Sequence, residues 1–370
     1  MNVLIAASYK APQSGNFIPS LLELSLLLRE QNDDVFFIFP KSESADKESS
    51  WCNWIRSHGF TVYLIDKNAP TERLAEELLG IIQKHDIHIL HTHFGIYNKV
   101  IHRFRRKLPV KILIHNHFGF AYNKKKAVKQ ILRNVALSVY YRLLGIHVAA
   151  VNKAVGDSFV FANSWYVPNG LSLMRNVQAS KTREEVRAMW GIQANEKACL
   201  VLGWSLDIKG LDIAVKAVAE CRQHMPEVTL CIVGFGSTPN QTVLDYISKR
   251  TNIDPRSAWI HYWDDTEDIY SYHRAVDVYL SSSRTEGFPY GVLEAISQNT
   301  PVVLSDIKGT RWAYAYHHAF PYPVEDPSAC AQCIEKALQT GRSVSNYETI
   351  MSQYDIKDWC RRTIHIYKKL

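Results

Sequence analysis

The sequence predicts an α/β protein with two parallel-sheet domains that face each other across a cleft. In the first half of the chain, short apolar runs alternate with helical patterns, as in parallel sheets with helical crossovers. The same alternation restarts beyond a group of turn residues, Val167 to Gly170, which we interpret as the interdomain connection. A chain of 370 residues is long enough for two domains. We assign them to 1–166 and 167–350, with a C-terminal helix at 351–370 that packs back on the first domain.

Each predicted strand is a short apolar run, and each predicted helix repeats apolar residues at three- and four-residue spacing. Right-handed crossovers bring the carboxyl ends of such strands to one edge, where open sheets bind ligands. The first half contains strands Val3–Ala7, Val35–Phe39, Phe60–Ile65, His88–His91, Val110–His115 and His147–Val151, with helices Ile18–Glu30 and Thr71–Lys84, the second capped by Thr71. The second half contains strands Ala198–Gly203, Thr229–Val233, Trp259–Tyr262, Val278–Leu280 and Pro301–Leu304, with helices Leu211–Arg222, Val243–Lys249 and Ala329–Leu338.

The composition is that of a soluble globular protein, with 46% hydrophobic and 21% charged residues. No apolar run is long enough to span a bilayer, so the sequence predicts a cytoplasmic protein. Seven scattered cysteines do not predict a disulfide framework, and the Cys330-x-x-Cys333 pair is interpreted as two core residues. A net charge of +7 indicates an acidic partner, which charge alone leaves open between nucleotide phosphates, nucleic acid and a membrane.

The most informative stretch runs from Glu286 to Glu294, with the sequence Glu-Gly-Phe-Pro-Tyr-Gly-Val-Leu-Glu. Its glycines and proline indicate a loop, and an apolar-periodic segment begins at Val292. The first turn of a helix presents backbone N–H groups and a partial positive charge, which together bind anions. The two flanking carboxylates would repel a phosphate, so we expect them to face hydroxyl groups. The stretch therefore predicts a ligand that contains both phosphates and sugars.

Three other places that follow strands offer weaker phosphate contacts. Gly15 follows the first strand, Gly234 and Gly236 follow the strand Thr229–Val233, and Lys209 opens a helix from which a compact cation could reach a diphosphate. Each has an ordinary alternative: a strand-to-helix turn for Gly15, a tight turn for the glycine pair, and a solvated surface lysine for Lys209.

Two similar hexapeptides, Leu90–Gly95 and Ile114–Gly119, close apolar strands, and each contains a His-x-His pair. Residues two apart in a strand share a face, so each pair points to one side. A His-x-His pair can bind zinc, but no nearby acid or cysteine completes a ligand set, and the sequence predicts no metal site. Hydrogen bonding to a polar ligand is the preferred interpretation, with structural histidines as the alternative.

A basic segment precedes the long helical pattern from Ala127 to Leu144. Together with nearby aromatic residues and an apolar helical face, it predicts contact with anionic lipid heads, which would place the protein on the inner face of a membrane. A solvated helix face is the alternative. Nucleic acid is not the predicted partner, because no recognition motif accompanies the charge. The lysines concerned are Lys124, Lys125, Lys126 and Lys129.

Taken together, these features resemble the retaining nucleotide-sugar glycosyltransferases with the GT-B fold, whose signature is two glutamates separated by seven residues. Glu286 and Glu294 match the two acids. The resemblance covers most of the chain, is strong from Gly203 to Gly309, and implies two Rossmann-like domains. Other matching stretches are Asp86–His91, Pro168–Gly170, Lys209–Gly210, Gly234–Gly236, Pro301–Val303 and Gly309.

The resemblance implies a role for each matching residue. Glu294 would hold the ribose hydroxyls and Glu286 those of the donor sugar, while Lys209 and the loop N–H groups would stabilise the departing nucleoside diphosphate. His115 or His117 would touch the sugar near the bond that breaks. The full set of implied donor contacts is Glu294, Gly15, Gly234, Gly236, Gly287, Phe288, Pro289, Tyr290, Gly291, Val292, Trp204 and Arg284.

Three places depart from the family pattern, and one of them affects the phosphate contacts; the other two are His261–Trp263, where a glycine is common, and Asn152–Lys153, where serine-lysine is usual. Trp204 follows Gly203 where the family often has an arginine, so either Arg284 or Arg311 would meet the second phosphate charge, and Trp204 could instead stack on a base or sugar. The implied donor is a UDP-sugar, with a GDP-sugar as the alternative, and no metal or other cofactor is required. The implied reaction is retaining transfer of a hexose-type sugar to a glycan or lipid-linked acceptor. A nucleotide-sugar epimerase, a sugar phosphorylase and a catalytically silent glycan-binding subunit are the alternatives.

Overall fold

The chain divides into two compact units. The first contains Met1–Gly119, Lys125–Gly170 and Ile356–Leu370, and the second contains Phe120–Lys124 and Leu171–Asp355. The computed structural model describes residues 1–9, 11, 13–41, 49–95, 97–172, 180–203, 205–342 and 346–370. Each unit is an α/β structure, as the alternation of strand and helix patterns predicts.

Within the described residues, the first unit forms a seven-stranded parallel sheet in the order β3-β2-β1-β4-β5-β6-β7. The strand order reverses between β1 and β4, and this switch point is where open sheets bind ligands. The strands are β1 (Asn2–Ala7), β2 (Asp34–Pro40), β3 (Thr61–Ile65), β4 (Ile89–His93), β5 (Lys111–Asn116), β6 (Ile146–Ala150) and β7 (Ser164–Tyr166). The helices between them are α1 (Phe17–Glu30), α2 (Ser50–Ser57), α3 (Thr71–Lys84), α4 (Asn98–Phe104), α5 (Lys124–Leu143) and α6 (Lys153–Asp157).

The second unit has a six-stranded parallel sheet over the part of it that the structure describes, in the order β10-β9-β8-β11-β12-β13. Its strands are β8 (Lys197–Leu202), β9 (Val228–Val233), β10 (Ile260–Trp263), β11 (Val278–Ser281), β12 (Val302–Ser305) and β13 (Ala319–Tyr322). Its helices are α7 (Arg183–Met189), α8 (Leu211–Cys221), α9 (Gln241–Thr251), α10 (Ile269–Ala275), α11 (Tyr290–Ser297), α12 (Pro327–Thr340) and α13 (Asn346–Tyr354).

The C-terminal helix α14 (Ile356–Tyr367) belongs to the first unit, where it packs against α1. This confirms the predicted return of the chain. Trp359 and Tyr367 on its inner face are buried. The cysteines are free, as expected, and Cys330 lies in the core of the second unit with Cys333 packed against that core.

Most predicted elements agree with the structure to within one or two residues, but two details were wrong. Pro70, not Thr71, is the N-cap of α3, and Thr71 is already helical. Helix α11 begins at Tyr290, two residues before the predicted start, because Pro289 takes the N-cap position. The sequence patterns also missed the short elements α2, α4, α6, β7, α7, α10, β13 and α13.

Candidate functional site

Glu286 lies in the loop between β11 and α11, where two side chains hold it. Lys209 Nζ lies 2.7 Å from Glu286 Oε1, and Ser283 Oγ donates a hydrogen bond of 2.7 Å to the same oxygen. The side chains of Lys209 and Glu286 are 16% and 14% exposed, so solvent still reaches the ion pair. Both described contacts use Oε1, which leaves Oε2 for a ligand hydroxyl. We call Glu286, Lys209, Ser283 and the start of α11 the Glu286 site.

Backbone contacts fix the two ends of this ion pair. A Cβ atom on Gly210 would lie 2.1 Å from the carbonyl oxygen of Ser282, and one on Gly309 would lie 2.2 Å from that of Glu286. Only glycine permits such approaches, because a Cβ atom would overlap the neighbouring carbonyl. The loop that carries Lys209 is therefore seated directly on the exit of β11, which preorganises the charges.

Helix α11 starts beside the ion pair, with its first-turn N–H groups at the helix N-terminus, as the anion-site prediction requires. A Cβ atom on Gly291 would lie 2.3 Å from Tyr279 Oη, so the helix start sits against this tyrosine. Tyr279 is 4% exposed, and burial, with two nearby carboxylates, raises its pKa well above the ordinary value. A neutral hydroxyl therefore supports the first turn. Sequence reasoning missed Tyr279, which looks like any apolar strand residue.

Among the other residues of the predicted loop, some have side chains that are packed in the core, so only their backbone could contact a ligand. The Phe288 ring stacks on Trp312 with centroids 4.4 Å apart, and Val292 is fully buried. Their side chains therefore belong to the core of the second unit, which leaves their backbone for a ligand. Pro289 has no N–H to donate. Gly287 precedes these two residues in the loop, and Tyr290 follows them as the first residue of α11.

Glu294 is buried in the second turn of α11, with only 4% of its surface exposed. Its Oε2 lies 3.7 Å from Nε2 of His273, a fully buried side chain on α10. Nothing in the sequence singles out His273, because it lies in the short helix α10, which the sequence patterns missed.

Arg284 is placed differently from the prediction that it contacts a diphosphate. Its guanidinium donates two hydrogen bonds to Asp212, of 3.0 and 2.9 Å, and also bonds Glu325. Burial alone would lower the pKa of Arg284, but the two carboxylates raise it above its ordinary value. Arg284 is thus a buried cross-link whose donors are already used. Arg311 is also engaged, in an exposed ion pair with Asp306.

The predicted glycine turn lies at the ends of two adjacent strands, β8 and β9. Gly234 has φ of +111°, and a Cβ atom on it would lie 1.8 Å from the carbonyl oxygen of Gly203. This close approach is by itself a sufficient structural reason for a glycine at position 234. It agrees with the alternative interpretation, in which the glycine pair forms only a tight turn. Gly236 follows in the same turn with φ of +83°. Trp204 lies outside the described residues.

In the first unit, Gly15 lies between β1 and α1 with φ of +54°. The Tyr9 hydroxyl donates to the carbonyl oxygens of Gln13 and Ser14 at 3.0 and 3.1 Å, which ties this turn together. Gly15 therefore lies in the segment that connects the carboxyl end of β1 to α1, and its contact with a phosphate stays a prediction.

The two His-x-His pairs come together as one cluster, which we call the histidine cluster: His91, His93, His115 and His117. The strands pair in parallel register with His93 opposite His115. His91 Nε2 lies 3.2 Å from His115 Nδ1, and His93 Nδ1 lies 2.8 Å from His117 Nε2. Burial lowers the pKa of all four imidazoles, that of His115 to about 3, so they are neutral at neutral pH.

The two histidines that were expected to touch a sugar differ in burial. His115 is 2% exposed and lies near the Trp359 ring, whereas His117 is half-buried and stacks on Phe94. Of the two, His117 is the one whose surface a ligand could reach. No acid or cysteine stands near either pair in sequence, but the neighbouring strand supplies a third imidazole to His91 and His93.

Comparison with known protein families matches both halves of the chain. Residues 20–173 match the model described as "Glycosyltransferase Family 4", and residues 182–356 match "Glycosyl transferases group 1". Together the two models cover most of the chain.

Curated relatives and a solved structure agree with this. The chain is 22% identical over 316 residues to the Bacillus subtilis glycosyltransferase TuaC, assigned to teichuronic acid biosynthesis, covering 81% of this chain and 75% of that protein. It is 26% identical over 244 residues to the Escherichia coli UDP-Gal:alpha-D-GlcNAc-diphosphoundecaprenol alpha-1,3-galactosyltransferase, covering 63% of this chain and 61% of that enzyme, less than two thirds of its length. Anabaena HepE, solved with UDP-glucose, superposes with a TM-score of 0.77 at 16% identity over all of both chains. The expected GT-B fold is confirmed.

Proposed function

Because the chain belongs to the glycosyltransferases, with a family 4 domain followed by a group 1 domain, we propose that it transfers a sugar from a UDP-sugar with retention of configuration. The observation that carries this proposal is the Lys209–Glu286 ion pair beside the N-terminus of α11. A cation and a helix N-terminus stabilise a departing diphosphate, and a fixed carboxylate orients sugar hydroxyls. When the donor binds, Lys209 would contact its phosphate and Glu286 its sugar, in place of their contact with each other.

Glu294 is proposed to hold the ribose of the donor. Its carboxylate lies one helical turn beyond the predicted phosphate position, and its burial favours a neutral hydroxyl partner over an anion. His117 is proposed to bind the donor sugar, since it is the accessible histidine of its pair. No metal is needed for the diphosphate, because fixed positive groups supply the compensating charge. A GDP-sugar remains the alternative donor.

The acceptor is proposed to be a glycan or a lipid-linked glycan in cell-surface polysaccharide synthesis. Two matched relatives support this class. TuaC is assigned to teichuronic acid biosynthesis, and the Escherichia coli enzyme adds galactose to a diphosphoundecaprenol-linked sugar.

The proposal is tested first by donor binding and then by turnover. Thermal unfolding is followed with a panel of UDP- and GDP-sugars, since a ligand at 100 times its Kd raises the free energy of unfolding by about 2.7 kcal/mol. The donor that binds is then incubated with undecaprenol-diphosphate-linked sugars, and the anomeric configuration of the product is read by NMR. Nucleotide release with a retained configuration supports the proposal. Isomerisation of the donor without acceptor would indicate an epimerase, and no nucleotide-sugar binding at all would contradict the proposal.

Helix α5 is proposed to bind an anionic membrane surface. Its exposed face carries Val128, Leu132 and Leu143, the last two 66% and 78% exposed, while Asn134 and Ser138 are buried on its inner face. A helix that buries polar residues and exposes apolar ones presents its apolar face to a partner. The sequence of α5 contains no acidic residue and begins with three lysines, Lys124 to Lys126, followed by Lys129. This charge complements anionic lipid heads. No helix among the described residues is long and apolar enough to cross a bilayer.

Sedimentation with vesicles of phosphatidylglycerol and phosphatidylcholine tests the membrane proposal. Each lysine near the surface contributes about 1 kcal/mol, so changing the four lysines to glutamate should lower the partition coefficient more than tenfold. Lys368→Glu with Lys369→Glu, at exposed positions directly after α14, is the control and should change it little. Equal binding of both variants and of neutral vesicles would contradict the proposal.

A further inference from the structure

Three histidine side chains in the sheet of the first unit converge in the arrangement of a metal site. His91 and His93 lie two residues apart on β4, and His115 lies on β5, opposite His93 in register. One ring nitrogen from each lies within 4.8 Å of the other two. We propose that these three imidazoles bind a divalent cation of the kind that imidazole prefers, with Zn²⁺ as the first candidate.

The spacing of two of the ligands already matches a tetrahedral site. At a Zn–N distance of about 2.0–2.1 Å, neighbouring ligand nitrogens of a tetrahedron lie about 3.3–3.4 Å apart. The separation of His91 Nε2 and His115 Nδ1 is 3.2 Å. The third ligand has to approach by at most about 1.5 Å to complete the same geometry. Rotation of one imidazole on a strand accomplishes a shift of that size.

Two of the three rings also have an outer partner, which is the usual arrangement around metal-binding histidines. His91 Nδ1 lies 2.6 Å from the Tyr367 hydroxyl, and His93 Nδ1 lies 2.8 Å from His117 Nε2. Such partners hold the ring orientation and leave the other nitrogen for the cation.

One nitrogen has an unmet need that a cation would satisfy. His93 Nε2 is buried and has no hydrogen-bond partner in the described part of the chain. A buried polar atom without a partner costs free energy, and coordination would remove that cost. A neutral imidazole has one lone-pair nitrogen, so for His91 Nε2 and His115 Nδ1 both to bind the cation, the proton between them moves to the outer nitrogen of its own ring.

Three imidazoles leave the fourth tetrahedral position to a water molecule, and the cation would tie parts of the first unit together. Tyr367 belongs to α14, so the cation would fix His91, and through it Tyr367, where the C-terminal helix lies on the first sheet. Coordination therefore adds a tie between two strands of the sheet and the end of the chain. This inference does not depend on the proposed transfer reaction, and its readouts are independent of activity.

The test uses the full chain without a histidine tag, stripped with a chelator and titrated with Zn²⁺ and Co²⁺. We expect about one equivalent of zinc per chain after dialysis, an absorption spectrum of tetrahedral cobalt, and an unfolding midpoint several degrees higher with metal. His93→Ala should weaken zinc binding at least 100-fold. Tyr367→Phe, which leaves all three ligands in place, should weaken it about tenfold through loss of an outer partner.

His365→Ala is the matched control, since this histidine lies on the same helix as Tyr367 but is exposed. It should bind zinc as the unchanged chain does. If His93→Ala does not fold, Tyr367→Phe still decides the question. A chain that retains no zinc and gains no stability from it, or one whose His93→Ala variant binds zinc equally, would show that the imidazoles only hydrogen-bond to one another.

Discussion

The histidine cluster of the first unit and the Glu286 site of the second both lie at the carboxyl ends of parallel strands. They differ in charge, because the first consists of neutral imidazoles and the second contains an ion pair. In the cluster, His91, His93 and His115 are buried and His117 is half-buried, and the imidazoles are neutral because burial disfavours their charged form. The Glu286 site pairs a basic side chain with an acidic one, Lys209 with Glu286, and both remain partly exposed. Burial thus lowers the pKa of the imidazoles in one region, whereas in the other a lysine and a glutamate lie in direct contact.

Arg284→Ala tests how much a buried ion pair of the second unit contributes to the free energy of unfolding. The change leaves the Asp212 carboxylate buried without its guanidinium partner, so the free energy of unfolding should fall by about 3–5 kcal/mol. Arg311→Ala breaks an exposed pair with Asp306 and should cost about 0–1 kcal/mol. Urea denaturation of both variants measures the difference. Equal losses would mean that burial does not distinguish the two arginines.

Glu286→Gln tests whether the paired charges serve the chemistry. The amide keeps the shape of the side chain but removes the charge that faces Lys209, and kcat of sugar transfer should fall about 10²–10³-fold. The unfolding midpoint should change little. Glu348→Gln, an exposed glutamate of the same unit, is the control and should leave kcat unchanged. A Glu286→Gln enzyme with unchanged kcat would remove Glu286 from the site.

As pH falls, the first unit should lose stability at a higher pH than the second. The pKa values of the four clustered histidines are lower in the folded chain than the unfolded value of 6.5. Below pH 6.5 the unfolded chain therefore binds more protons. Their contribution to stability is complete above pH 6.5 and is lost as pH falls, by up to about 1.4 kcal/mol per pH unit for each histidine. Hydrogen exchange at pH 7.5, 6.0 and 5.0 measures this, and equal loss of protection in β4, β5, β8 and β11 would contradict it.

His117→Gln has the smallest expected effect. Because His117 is half-buried and proposed to bind the donor sugar, the change should lower kcat/KM about tenfold, which is about 1.4 kcal/mol. His365→Gln, at an exposed position, should leave kcat/KM unchanged. A His117→Gln enzyme with full activity would leave the first unit's cluster without a part in sugar binding.

The Glu286 site shows how far sequence reasoning reaches. The loop and the two acids could be predicted, because turn residues and a helical period lie within one short stretch. Arg284 was assigned to phosphate because its true partners, Asp212 and Glu325, lie 72 and 41 residues away in the chain. Nothing local indicates that a charged side chain is already neutralised by such distant carboxylates.

By itself the sequence determined the two α/β sheets, the approximate bounds of most strands and helices, and the loop between Glu286 and Glu294. These follow from apolar periodicity and turn chemistry, which are local. Tertiary structure alone decided that His115 is buried while His117 is only half-buried, and that a third imidazole joins the pair on β4. Those outcomes depend on which strands pair and in which register, and no short stretch of sequence contains that information.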